Sequence, residues 1–154
     1  MSIVEMIQSM LAPGIMISAC GLLLLGMNNK YSVIVNRIRV LDEEKRKLKL
    51  TADEGKLMSH HEKRQNSLNK QMKVFSYRIR LVRNAVVFYS IAVAFFILAC
   101  LAIGLNFATQ NVNIANAAIV LFLLGMSSVF SGVTFACLEV IKGYQIVQIE
   151  IRES

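Results

Sequence analysis

Chemistry in this chain would have to come from a short set of residues. They are the run His60-His61-Glu62, the cysteines Cys20, Cys100 and Cys137, the acid Glu139 in an apolar setting, and the hydroxyls of Ser127, Ser131 and Thr134. Two histidines and a glutamate are metal-ligand types. Adjacent residues of a helix point to different faces, however, and no third ligand type stands nearby, so the group reads as solvated. A nucleophilic cysteine needs a positive surrounding that favours the thiolate. All three cysteines lie inside apolar runs, outside any CxxC pair and away from histidine, where a thiol acts as a small hydrophobe. No nucleophile–base or metal constellation is visible, so a non-enzymatic chain with no cofactor is expected. Glu139 stands apart, because an acid at membrane depth is functional or paired. Its place at the end of an apolar run points to a structural salt bridge, with Lys142 one turn on or Arg83 across the bundle as partner.

The elements that hold these residues follow from hydropathy. Of 154 residues 55% are hydrophobic and 18% charged, and the net charge is +7. Apolar runs at about Ile7–Met27, Ala85–Leu105 and Ile114–Leu138 are each near the ~20 residues that cross a bilayer. Fifteen of the seventeen Lys and Arg fall between Lys30 and Arg83. A basic block between two apolar runs reads as a cytoplasmic juxtamembrane segment. Nucleic acid is not the expected partner, since aromatic residues are not interleaved with the basic ones. The first run has Glu5 before it and its basic flank after it, the reverse of a cleaved signal peptide, so it is expected to be retained.

Between the first two runs the pattern is helical but not membrane-like. Ile34, Ile38, Leu41, Lys45 and Leu48 step 4-3-4-3, and His61, Gln65, Leu68, Met72, Phe75, Ile79 and Val82 step likewise. Thr51-Ala52-Asp53-Glu54-Gly55 between them supplies turn and cap residues. Two such arms read as an antiparallel helical hairpin with a coiled-coil-like seam, each arm of twenty residues or more reaching roughly 30 Å. Lys45, His61 and Gln65 are polar seam positions that loosen the tip. No strong break follows Met27, so one nearly continuous helix is expected from the membrane to about Leu50.

The spans carry small residues in stripes. Gly14, Ser18 and Gly21 share a face of the first span, after Pro13. In the third, Gly125, Ser128 and Gly132 share one face, and Ser127, Ser131 and Thr134 an adjacent one. Such stripes let helix backbones approach in lipid, or line a narrow pore, with packing the preferred reading. Arg78, Arg80 and Arg83 precede the second span and anchor it at the interface, and these three together with Arg37 and Arg39 can also meet anionic headgroups, though the orientation rule alone accounts for them. The fold class expected is all-α and integral membrane, with three transmembrane helices and a long cytoplasmic hairpin between spans one and two. Its divisions are 1–29 (N-terminal segment and span one), 30–83 (hairpin), 84–106 (span two), 107–113 (external linker), 114–138 (span three) and 139–154 (cytoplasmic tail). The charge asymmetry puts the hairpin and C-terminus in the cytoplasm and the N-terminus outside.

The stretch LAPGIMISACGLLLLGMNNKYSVIVNRIRVLDEE, Leu11 to Glu44, resembles the N-terminal signature of an uncharacterised bacterial three-span membrane protein family, domain of unknown function 2721. The matching residues are Pro13, Ser18-Ala19-Cys20-Gly21 with the leucines that follow, Asn28, and Arg37-Ile38-Arg39 with Leu41. Asn29 stands where a basic residue is expected directly after the asparagine. The resemblance implies a bacterial inner-membrane location and brings no activity with it. Small stripes on both spans one and three exceed what one copy needs to close up, so a homo-oligomer is expected with those spans at its interfaces. The function expected is a scaffold or interaction protein, surrounded by membrane lipids and presenting a cytoplasmic helical stalk to a protein partner. The alternative is an oligomeric ion channel lined by polar faces of spans one or three.

Overall fold

The computed structural model is all-helical, with α1 over Ile3–Ala52, α2 over Met58–Thr109 and α3 over Val112–Glu153. It describes the backbone of residues 3–52 and 58–153, and the side chains of 3–47, 50, 68, 69 and 71–143. Asp53 and Gly55 of the expected turn lie outside the described residues, as do the side chains of His60, His61, Glu62 and Gln65. Each helix is long and apolar enough to cross a membrane, within Ile3–Lys47, Gln71–Thr109 and Val112–Gly143, which points to a multi-pass membrane protein.

α1 runs unbroken past Asn28 and Asn29 to Ala52, and Pro13 lies well inside it, buried. Proline has no N–H to give the Ser9 carbonyl, a loss tolerated more readily in membrane helices than in soluble ones. α2 is the middle helix. It packs along both neighbours, whereas α1 and α3 scarcely meet each other. The reason is visible in α2 itself. Val82, Ala85, Tyr89, Ala92, Phe96 and Ala99 are all buried, and they step 3-4-3-4-3 along one stripe. Alanines let the neighbouring backbones close in, and the aromatic rings between them fill the space. On α1 the buried positions Pro13, Cys20, Met27, Ile34 and Leu41 recur every seventh residue, the spacing that keeps one seam against a partner helix. Met27 and Ile34 join Val82, Ala85 and Tyr89 in one core cluster, while Cys20 joins Ala92 and Phe96 in another, so α1 and α2 run antiparallel. Beyond the span, Ile38, Phe75 and Ile79 extend the first cluster along the hairpin arms, and Leu68 is buried still further out.

The connection from α2 to α3 is only Gln110 and Asn111, because the helices extend into the segment expected as linker. Gln110 takes the left-handed conformation at φ 50°, and its N–H donates to the Asn106 carbonyl at 2.8 Å, a C-terminal helix cap. The Asn111 side-chain oxygen accepts from the Asn113 N–H at 3.0 Å, an N-terminal cap for α3. Gln110→Gly should therefore stabilise by about 0.5–1 kcal/mol, relief of the left-handed conformation outweighing the added chain entropy. Asn111→Ala should destabilise by about 1 kcal/mol. Thermal unfolding followed by circular dichroism in detergent reads both shifts.

Candidate functional site

The three helices are joined by charge at one level. Each apolar run ends there on a polar residue: the first at Asn28-Asn29-Lys30, the second at Arg78 to Arg83, the third at Glu139. Helices laid side by side with their apolar lengths in register bring these ends together. Helix phase then selects which charges meet. Arg78 lies four residues before Val82 and so continues the buried stripe of α2, whereas Arg80 and Arg83 fall off it and are exposed. Glu139 lies seven residues after Gly132, itself seven after Gly125, on the face that α3 turns to α2.

Glu139 is 1% exposed. Its Oε1 accepts from Arg78 Nη2 at 2.6 Å and from Arg78 Nε at 3.2 Å, while Oε2 accepts from Lys30 Nζ at 3.1 Å. One carboxylate thus takes α2 with one oxygen and α1 with the other. The Lys30 contact ties α1 to α3 where the two helices otherwise barely touch. Arg78 is held from two further sides. Its guanidinium lies 5.8 Å from the Phe75 ring centre, a cation–π contact. It also packs against Gly143, where an added Cβ would stand 3.0 Å from Nη2. Glu139 is salt-bridged, as expected, but to Arg78 and Lys30, where Lys142 or Arg83 was the partner expected. The signal for Arg78 was its phase on the α2 stripe. For Lys30 it was only its position as the first charge after the run.

The same phase logic disposes of the small residues. Gly125 and Gly132 receive Phe96 and Tyr89, for a Cβ on either would lie 2.7 Å from a ring carbon. Between them Ser128 donates its hydroxyl to the Phe88 carbonyl of α2 at 2.8 Å. The Gly125–Ser128–Gly132 face is thus occupied within the chain. Ser127, Ser131 and Thr134 look away from it and donate to their own helix, to the Leu123, Ser127 and Phe130 carbonyls at 2.9, 3.0 and 2.9 Å. On α1, a Cβ at Gly14 or Gly21 would meet nothing within 4 Å. Ser18 between them is exposed, its hydroxyl 3.4 Å from the Gly14 carbonyl. At the end away from the hairpin, Ala12 and Pro13 of α1, Ala99 of α2 and Ala118 of α3 help line an apolar cleft of about 370 Å³.

A carboxylate whose two oxygens both accept from cations is a joint, not an available base. Among the described residues no three His, Cys, Asp or Glu gather as a metal-sized group, and Cys20, Cys100 and Cys137 are free thiols. No curated protein and no solved structure matches the chain. The family described as protein of unknown function (DUF2721) matches residues 10–149. A match over nearly the whole length, through all three helices and the Lys30–Arg78–Glu139 joint, settles the relationship: the chain belongs to the DUF2721 family.

Proposed function

We propose that the protein is a non-enzymatic, homo-oligomeric scaffold of the bacterial inner membrane, whose hairpin stands in the cytoplasm and docks a protein partner. The observation that carries this reading is α1. It is packed along one side by α2 and leaves the Gly14–Ser18–Gly21 face bare, flanked by the exposed Leu11, Ile15, Leu22 and Leu25. A small-residue face in lipid gains most from a second helix at close range. The third span needs no such partner on its glycine face. The interfaces proposed here are accordingly the first spans of neighbouring copies, with the third spans outward. Because α1 is one helix from membrane to hairpin and is tied to α3 through Lys30, a load on the hairpin reaches the bilayer region without a flexible joint.

The test is the mass of the protein in nanodiscs. Gly14→Leu and Gly21→Leu should each shift it from oligomer to monomer while leaving helix content unchanged. A wild-type monomer would end this reading. An alternative, a pore lined by Ser127, Ser131 and Thr134, has in its favour that Ser127 and Thr134 are both exposed and lie two turns apart on one face of α3. Ion flux through liposomes containing the protein separates the two, and the scaffold reading expects none.

A further inference from the structure

We propose that the groove between α1 and α3 beside the charged joint binds the phosphate-bearing headgroup of an anionic phospholipid. The inference rests on the reading that the helices span a bilayer with the basic end at its cytoplasmic face. The groove has a volume of about 480 Å³, and Lys30, Arg78 and Glu139 line it together with Val33, Ile34 and Val140. Val33, Ile34 and Arg78 also line an adjoining hollow of about 360 Å³ that reaches Arg37 and Val40. The two hollows share Val33, Ile34 and Arg78, and Lys30 and Arg37, one beside each, are two turns of α1, about 10 Å, apart.

Charge and donor capacity identify the ligand class. Three cations and one carboxylate leave the groove with two positive charges in excess. An ammonium has three donors and a guanidinium five. Glu139 takes one from Lys30 and two from Arg78. Arg37 is bridged to no carboxylate among the described residues. Unused donors beside a satisfied carboxylate suit an acceptor-rich anion, and phosphate is one that such groups recognise well.

Position and walls favour a lipid over a free ion. The groove begins where the apolar run of α1 ends, level with the exposed Tyr31 and near the exposed Tyr77, residues of the type that marks the headgroup layer. Valine and isoleucine line it beside the cations, so an amphiphile covers them while a soluble anion leaves them wet. Basic pockets between membrane helices on the cytoplasmic side are the sites where anionic headgroups settle.

The experiment uses the full-length protein in detergent, offered phosphatidylglycerol, phosphatidylcholine or inorganic phosphate, with bound lipid read by native mass spectrometry. The wild type should retain phosphatidylglycerol in preference to phosphatidylcholine, and millimolar inorganic phosphate should not displace it. Arg37→Gln, on an exposed helix position outside the joint, should weaken retention about fivefold, the effect of one basic residue near an anionic surface. Arg39→Gln, exposed and outside the groove, should behave as wild type. Equal loss in both variants, no headgroup preference, or displacement by inorganic phosphate would each overturn the site. Alkaline carbonate extraction separates this from failure of its premise: release of the protein from membranes overturns the bilayer reading and the site with it. A membrane-retained protein without headgroup preference overturns the site alone.

Discussion

Arg78→Ala should destabilise the folded protein by about 3–5 kcal/mol, the cost of breaking a buried pair by removing one partner. The stranded charge is Glu139, at 1% exposure, left with Lys30 alone. Glu139→Ala should cost about 3 kcal/mol, the lower end of that range. The cations it strands are better placed to find water, for the side chain of Arg78 is 23% exposed and that of Lys30 47%. Lys30→Ala should cost least, within about 1 kcal/mol, as for a pair with one solvated partner. The order Arg78, Glu139, Lys30 follows from the burial of the charge left behind and from how many of its bonds Glu139 keeps, Arg78 donating two and Lys30 one. Replacing Arg78 and Glu139 together by leucine should recover most of the loss, since an apolar pair of similar volume is often as stable as a buried ion pair. Chemical unfolding in a mild detergent, run as a double-substitution cycle, measures all of these. If Lys30→Ala were the most damaging of the three, the joint would be held chiefly between α1 and α3, against the geometry described.

The second large effect lies between α2 and α3. Gly132→Ala places a Cβ 2.7 Å from Tyr89 Cε1, and Gly125→Ala does the same to Phe96. Neither ring has room to retreat, because Tyr89 is 1% and Phe96 0% exposed. Each substitution should cost about 1–3 kcal/mol through overpacking, and leucine at either site more. Combining Gly132→Ala with Tyr89→Ala should cost less than the sum of the two alone, as expected of residues in contact. Gly14→Ala and Gly21→Ala, whose Cβ atoms meet nothing within 4 Å, should leave the unfolding midpoint of a single copy unchanged or slightly raised, alanine being the better helix former. Thermal melts of the four variants side by side provide the comparison.

Much of the architecture could be read from the order of residues. Three apolar runs, a basic segment after the first and an acid at the end of the third are coarse features that hydropathy reveals directly. The unbroken passage of α1 beyond Met27 followed from the lack of a glycine or proline there. What hydropathy hides is the rotation of each helix. In a run apolar on every side, polarity carries no phase, so Arg78, Arg80 and Arg83 look equivalent, and the partners expected for Glu139 are Lys142 or Arg83. The phase is instead written in side-chain size, in the alternation Ala85, Tyr89, Ala92, Phe96, Ala99. Reading that stripe back by four-and-three steps reaches Arg78. The same stripe explains why Gly125 and Gly132 face inward: two large rings need two glycines. Gly14 and Gly21 have no such rings opposite them, which a stripe of small residues viewed on its own helix does not reveal. Lys30 was hidden for another reason. Its partner lies 109 residues away on a helix that α1 barely touches, and only the middle helix brings the two together.

The central claim is that the small face of the first span meets another copy of the chain, while that of the third is taken up within it. Disulfide cross-linking in native membranes tests this most directly, with Cys20, Cys100 and Cys137 replaced by alanine and one cysteine introduced at a time. Ser18→Cys should form a covalent dimer rapidly under mild oxidation, and Ser128→Cys, whose side chain faces α2, should form none. Absence of a dimer from Ser18→Cys, or efficient dimers from Ser128→Cys, would contradict it.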